Sequence, residues 1–183
     1  ESSLPSGAVT IDTYADDMNA LLDVLGVKTA VVAGLSMGGY IALAFYRKYP
    51  ERVRALIFAN TKATPDSPEG KKGRDENAML VRERGAVAIV ERMLPKFFTP
   101  KTFAERPSVV ADTNTMMARQ SVDGIVAALM AMRDRPDSTP ALATIFAPTL
   151  IITSTDDSLI SPKESELMRD RIRGAKLVVI PDA

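Results

Sequence analysis

Apolar positions in the first part of the chain recur at helical spacing. Ile11, Tyr14, Met18, Leu21, Leu22 and Leu25 share one stripe, and Gly26 follows where a helix would close. The spacing predicts a helix over 11–25. The pattern then changes. Thr29-Ala30-Val31-Val32-Ala33 is a short, charge-free, mostly apolar run, as expected of a strand buried on both faces. Residues 34–39 are glycine-rich and read as a sharp turn. Residues 37–49 read as a helix stopped by Pro50. Three further strands are predicted over 53–59, 149–153 and 176–180. Between the last two, Ser161-Pro162-Lys163-Glu164 reads as a capping box with proline at the first helical position, and Gly174 closes that helix.

Strands that alternate with helices imply βαβ crossovers, hence a parallel sheet with helices on its faces. The long stretch between the second and third strands interrupts this rhythm. Residues 64–73 are polar and rich in Pro and Gly, and read as a mobile linker. Helical segments are then predicted over 76–84, 86–98, 108–120 and 122–133, with no strand signal among them. The expected organisation is a core part over 1–60, a helical lid over 61–147 and a second core part over 148–183. The fold class expected is α/β, a mostly parallel sheet with helices on both faces and the lid inserted between the second and third strands. A helical layer with no role at a site would give the same pattern.

Composition narrows the function. Lys plus Arg and Asp plus Glu both total 23, so net charge gives no reason to expect nucleic acid or an anionic membrane as partner. No apolar run is long enough to span a bilayer. There is no Cys, which excludes disulfide and thiolate chemistry within these residues and fits a cytoplasmic setting. There is also no His, so the commonest partner of a serine nucleophile is missing from these 183 residues.

The chemistry concentrates at Gly34-Leu35-Ser36-Met37-Gly38. This Gly-x-Ser-x-Gly follows a predicted strand and opens a predicted helix, the setting a nucleophile elbow requires. The turn forces Ser36 into a strained conformation. Gly34 and Gly38 are expected to give it room, and Gly39 to allow close helix–strand packing. The hydroxyl would project beside a helix N-terminus, with the Met37 amide aimed at a developing oxyanion. A plain βα turn with Ser36 as N-cap is the bland alternative. A phosphate loop is not supported, because no Lys-Ser/Thr pair follows the glycines. The second constellation, Ser154-Thr155-Asp156-Asp157, follows the 149–153 strand. An Asp there would orient a His, and an acid after the Ser is the chain order of this architecture. A solvated acidic turn is the alternative.

On these residues the sequence resembles the α/β-hydrolase superfamily, and within it the bacterial group of 3-oxoadipate enol-lactonases, related esterases and cofactor-free perhydrolases. Gly34 to Gly39 matches the elbow. Tyr49-Pro50-Glu51-Arg52-Val53 matches the exit from the elbow helix. Residues 154–162 match the acid loop, with Ser154 and Ser161 standing where Gly and Pro are usual. The resemblance implies Ser36 as nucleophile, Asp157 as the acid, Met37 as backbone oxyanion donor, and Gly34 and Gly38 as structural glycines. It implies no cofactor and no metal. The expected partner is a small-molecule ester or lactone, not nucleic acid and not a membrane, and homo-oligomer formation is left open.

The resemblance also implies that Glu1-Ser2-Ser3 belongs to a loop after an earlier strand and that a Gly-His pair follows Ala183. Both ends are therefore expected to be cut from a longer protein. A non-catalytic small-molecule binding protein and a cofactor-free perhydrolase or haloperoxidase are the alternative functions. Met79, Met93, Met116, Met117, Met130 and Met132 fall in the predicted lid, where they suit either an adaptable apolar pocket or simple core packing. Arg133 and Arg135 either hold a substrate carboxylate or end a solvated helix.

Overall fold

A computed structural model describes residues 4, 5 and 7–182. The segment Glu1-Ser2-Ser3 and the C-terminal Ala183 lie outside the described residues. The element order is α1 (Ile11–Val24), β1 (Ala30–Leu35), α2 (Met37–Lys48), β2 (Val53–Ala59), α3 (Pro68–Met93), α4 (Pro100–Glu105), α5 (Pro107–Ala118), α6 (Val122–Arg133), β3 (Thr149–Ser154), α7 (Pro162–Arg171) and β4 (Lys176–Ile180). The four strands form one sheet in the order β1-β2-β3-β4, and every neighbouring pair is parallel. Parallel neighbours need a crossover, and helices supply each one.

The chain divides into two compact units. One comprises Ile11–Pro65 and Pro136–Asp182 and holds the sheet; the other is Asp66–Arg135, with the described residues before Ile11. In the sheet unit, Phe45 of α2, Leu56 and Phe58 of β2, Ile151 of β3 and Met168 of α7 are fully buried. At roughly 1.5–3 kcal/mol per large apolar side chain, such burial fixes which faces of the helices meet the sheet. Arg52 fastens the approach to β1. It donates to the Val27 and Lys28 carbonyls, to Asn19 and to Asp23, so the end of α1 and the loop after it are held by one guanidinium.

The helical unit has its own core, in which Ala78, Val81 and Ile89 of α3 meet Val126 and Leu129 of α6. α3 is broken at Gly85, whose φ of 78° only glycine adopts without strain. The two helical segments expected on either side of residue 85 are therefore real. Asp66 and Arg135 close the unit at its two ends. Both are buried and lie 3.0 Å apart, and Arg74 adds a bond of 3.1 Å to the same carboxylate. In the sheet unit the flanking backbone pairs as well, the Ser138 amide donating to the Ala63 carbonyl at 3.0 Å.

Four local expectations change. The predicted linker over 64–73 is partly helical, because Ser67 caps α3 through the Gly70 amide and Pro68 stands at its first position. The helix expected to reach residue 98 ends at Met93, where Pro95 removes a donor and a short 3-10 turn takes over. α4 was not anticipated, although Thr99 before Pro100 is the same capping signal as Ser67-Pro68. At Ser161 the cap exists but the reciprocal box does not. Ser161 accepts from the Lys163 amide, while the Glu164 carboxylate is taken by the Thr64 hydroxyl at 2.9 Å.

In a chain of these residues alone β1 is expected to be a bare sheet edge, and it does end the sheet; the burial expected on both of its faces is found on one only, with Val31 (42%) and Leu35 (68%) exposed. An apolar edge strand invites pairing with another chain. The 1–183 polypeptide is expected to associate as its concentration rises, and Val31→Lys to shift it towards monomer in analytical ultracentrifugation. An unchanged distribution would count against edge pairing. A second outcome concerns acid. Burial by itself would raise the Asp66 carboxyl, but Arg135 and Arg74 outweigh it and hold the group below the usual carboxylate range. Its contribution to stability is thus present above about pH 4 and fades as pH falls through the lowered value. Asp66→Asn is expected to cost about 3 kcal/mol at pH 7 in urea melts, with the difference from wild type shrinking as pH falls below the usual carboxylate range.

Candidate active site

The site begins with one residue of unusual conformation. β1 runs through Gly34 and Leu35, which pair with Phe58 and Ala59 of β2, so the turn is narrower than the glycines alone imply. Ser36 then sits at φ 50°, ψ −113°, and α2 starts at Met37. Serine at positive φ is strained by roughly 1–3 kcal/mol. Three hydrogen bonds hold it there. Its amide donates to the Ala59 carbonyl at 2.9 Å, and its carbonyl accepts from the Gly39 amide at 2.9 Å and from the Thr61 hydroxyl at 2.7 Å.

The other capping hydroxyls provide a contrast. Ser67, Thr99, Ser121 and Ser161 all have negative φ and extended ψ, and each side chain accepts from an amide in the first turn of its helix. Ser36 stands at the same sequence position relative to α2, but its side chain makes no cap bond and it is exposed. The plain N-cap alternative is therefore not what this turn does. Met37 is the first residue of α2, and the first amides of a helix have no intrahelical acceptor. Its N–H thus belongs to the positive end of the helix, beside the serine.

The glycines divide differently from expectation. A Cβ on Gly34 would overlap the Gly38 carbonyl, and one on Gly39 would overlap the Thr61 side chain. A Cβ on Gly38 would meet nothing within 4 Å. The close approaches that shape the turn are at Gly34 and Gly39, while Gly38 contributes its carbonyl to the contact with Gly34.

The loop after β3 lies at the same end of the strands. Leu35 pairs with Ala59 and Ala59 with Ile152, so Ser36 and the end of β3 stand at a common level with β2 between them. Two strand spacings separate those ends by roughly 10 Å. Asp157 is half-buried, and one of its carboxylate oxygens accepts from the Leu159 amide at 2.7 Å and the Ile160 amide at 3.0 Å. Asp156 is exposed, and its side chain meets the Thr155 hydroxyl. Of the two neighbouring carboxylates, Asp157 is the one fixed by backbone. The loop is tied to the last strand through the Thr155 amide, which donates to the Ile180 carbonyl at 3.1 Å, and through the Asp182 amide, which donates to the Thr155 hydroxyl at 3.1 Å.

Asn60 and Thr61 were not singled out from the sequence. Asn60 has φ 39°; its amide donates to the Ile152 carbonyl and its side chain to the Ser154 hydroxyl, both at 2.9 Å. The available signal was an Asn, a residue that tolerates the left-handed region, placed where an apolar strand stops. Arg133 and Arg135, considered as anion holders, are engaged otherwise. Arg133 pairs with Asp75 and Asp134, and Arg135 is buried against Asp66. Met93, Met130 and Met132 pack on the core of the helical unit, whereas Met79 and Met116 are exposed. Among the described residues no group of three or more His, Cys, Asp or Glu is placed to hold a metal ion. No helix among them is long and apolar enough to cross a membrane.

With this geometry in place, the comparisons with known proteins agree with one another. A family model described as alpha/beta hydrolase fold matches residues 1–183. The 3-oxoadipate enol-lactonase 2 of Acinetobacter baylyi is 30% identical over 179 residues, which is 98% of this chain and 66% of that protein. A malate-bound thermophilic esterase from Thermogutta terrifontis is 40% identical with a TM-score of 0.95, covering 100% of this chain and 68% of that one. The enol-lactonase from Burkholderia xenovorans LB400 is 28% identical with a TM-score of 0.90, covering 98% of this chain and 68% of that one. The chain thus spans about two thirds of the length of these relatives.

The glycine contacts give a ranking that thermal or urea melts can check. Gly34→Ala is expected to be the most damaging, because the obstacle is backbone. Gly39→Ala should cost about 1–3 kcal/mol through overpacking against Thr61. Gly38→Ala should be neutral or stabilising by up to about 1 kcal/mol, since it replaces an unencumbered helical glycine. A loss at Gly38 equal to that at Gly34 would contradict the contacts described.

Proposed function

The chain belongs to the α/β-hydrolase fold family, and on that premise we propose that it carries the nucleophile and the acid of a hydrolase that cleaves a carboxylic ester or lactone. The observation that carries this reading is Ser36 itself. A serine whose backbone is held at positive φ by three hydrogen bonds, exposed and making no cap bond, is costly for a structural turn and useful for a nucleophile. The names of the relatives, an enol-lactonase and an esterase among them, support the substrate class.

In this reading Ser36 Oγ attacks the acyl carbon and its proton passes to a base. The Met37 amide steadies the oxyanion of the tetrahedral intermediate. The intermediate collapses as the leaving alcohol, or the ring oxygen of a lactone, takes that proton from the base. Water then attacks the acyl-enzyme, gives its own proton to the base and releases the acid, and the proton returns to Ser36. Asp157 orients the base and stabilises its protonated form. Asp157 suits this task because the Leu159 and Ile160 amides already fix its carboxylate.

The 183 residues contain no His. We assign the base to a histidine outside them, in the part of the protein that the longer relatives also carry. The roughly 10 Å between the ends of β1 and β3 is room for one imidazole between hydroxyl and carboxylate. The second oxyanion donor is assigned outside these residues as well. No cofactor enters the scheme.

The test uses the protein expressed from its full reading frame. Hydrolysis of p-nitrophenyl acetate and of a simple lactone is expected, with Ser36→Ala lowering kcat by about 10⁴-fold or more and Asp157→Asn by about 10³-fold or more. A Ser36→Ala protein that turns over at the wild-type rate would remove Ser36 from the mechanism.

A further inference from the structure

We propose that Asn60 and Thr61 form a two-residue clip that sets the spacing between nucleophile and acid, a positioning role that rests on the reading of Ser36 and Asp157 given above. The clip is built at the end of β2, the strand that stands between the other two. Asn60 reaches one neighbour and Thr61 reaches the other. The Asn60 side-chain amide donates to the Ser154 hydroxyl at 2.9 Å, and Ser154 is the buried last residue of β3, three positions before Asp157. The Thr61 hydroxyl donates to the Ser36 carbonyl at 2.7 Å, and its side chain fills the space beside Gly39 that a Cβ would need. Thr61 is itself buried.

The backbone explains how consecutive residues serve opposite sides. Along a regular strand the lateral direction belongs to main-chain hydrogen bonds, and side chains point up or down. At φ 39° Asn60 leaves the strand conformation while its own amide still reaches Ile152 of β3. The next residue is thereby turned towards β1. A non-glycine residue in the left-handed region carries a cost that must be met by its contacts, and Asn meets it here through Ser154. Four bonds therefore converge on this point: Ser36 amide to Ala59 carbonyl, Thr61 hydroxyl to Ser36 carbonyl, Asn60 amide to Ile152 carbonyl, and Asn60 side chain to Ser154. The hydroxyl and the carboxylate have no bond with each other in this arrangement, so a base that bridges them depends on the clip for its geometry. Displacements near 1 Å in such a constellation cost on the order of 100-fold in rate.

The two halves separate by substitution in the protein expressed from its full reading frame. Asn60→Gly keeps the left-handed backbone and deletes the amide. Ser154→Ala deletes the acceptor from the other side. Thr61→Val deletes the hydroxyl at constant shape, and Thr61→Ser keeps it. Each deletion is expected to lower kcat about tenfold or more with KM within about twofold, and Thr61→Ser to recover most of the loss. The Asn60→Gly/Ser154→Ala double variant should be no slower than the worse single one, because both remove the same bond. Asn60→Gly and Ser154→Ala should also shift the acidic limb of the kcat/KM–pH profile, which follows the base that Asp157 supports. Thermal melts run in parallel. Wild-type kcat and pH profile in Asn60→Gly and Thr61→Val, while Ser36→Ala remains inactive, would overturn the clip and leave the nucleophile reading intact. Activity retained in Ser36→Ala would instead overturn that reading and the clip with it. A fall in melting temperature with kcat and pH profile unchanged would reduce both residues to structural ones.

Discussion

The sheet unit is organised around one peptide that would not choose its own conformation. Ser36 is held in the left-handed half of backbone space from both sides, its amide by Ala59 and its carbonyl by Gly39 and Thr61. Each such bond is worth about 1 kcal/mol net, which together offsets a strain of similar size. The arrangement needs the β1–β2 register, because only that register brings Ala59 beside Leu35. It needs α2 to start at once, because the Gly39 amide is the first-turn donor. It also needs no side chain at Gly34 or Gly39, where backbone and Thr61 already occupy the space. Register, helix start and composition of the turn are thus conditions on a single torsion angle.

The order of elements was legible because it depends on local patterns. The apolar stripe from Ile11 to Leu25, the charge-free run before Gly34 and the break at Gly85 all name their structure within a few residues. The sharp turn at Ser36 was legible for the same reason, and the structure adds that Ser36 makes no cap bond, which separates it from an ordinary helix start. The loops were read less well. Polar residues at 64–73 looked like a linker, yet Ser67 and Pro68 start a helix there, and Thr99 and Pro100 start another. At 64–73 composition outweighed capping chemistry, although capping was the better guide at both places.

What stayed invisible depends on partners far away in sequence. Asn60 finds Ser154, and Arg135 finds Asp66, across separations that no periodicity reveals. Glu164 was read as the reciprocal half of a capping box, but Thr64 takes its carboxylate. Gly38 was given a steric role from the motif alone, and only the packing shows that Gly34 and Gly39 carry it. A motif specifies which residues stand close in the chain. It does not say which of them are close in space to something else.

The ion pair between Asp66 and Arg135 means that a run of seventy residues leaves and rejoins the chain through one narrow neck, echoed by the hydrogen bond from Ser138 to Ala63. The closing of a loop costs little more when the loop grows, about 0.6 kcal/mol for each doubling of length. A change in the length of the run between Asp66 and Arg135 therefore carries only a small closure cost. Helices there are free to be lengthened, shortened or exchanged among descendants while Ser36 and Asp157 keep their places. On the proposed reading the chemistry travels with the sheet, and the neck is the seam along which diversity can be stitched in.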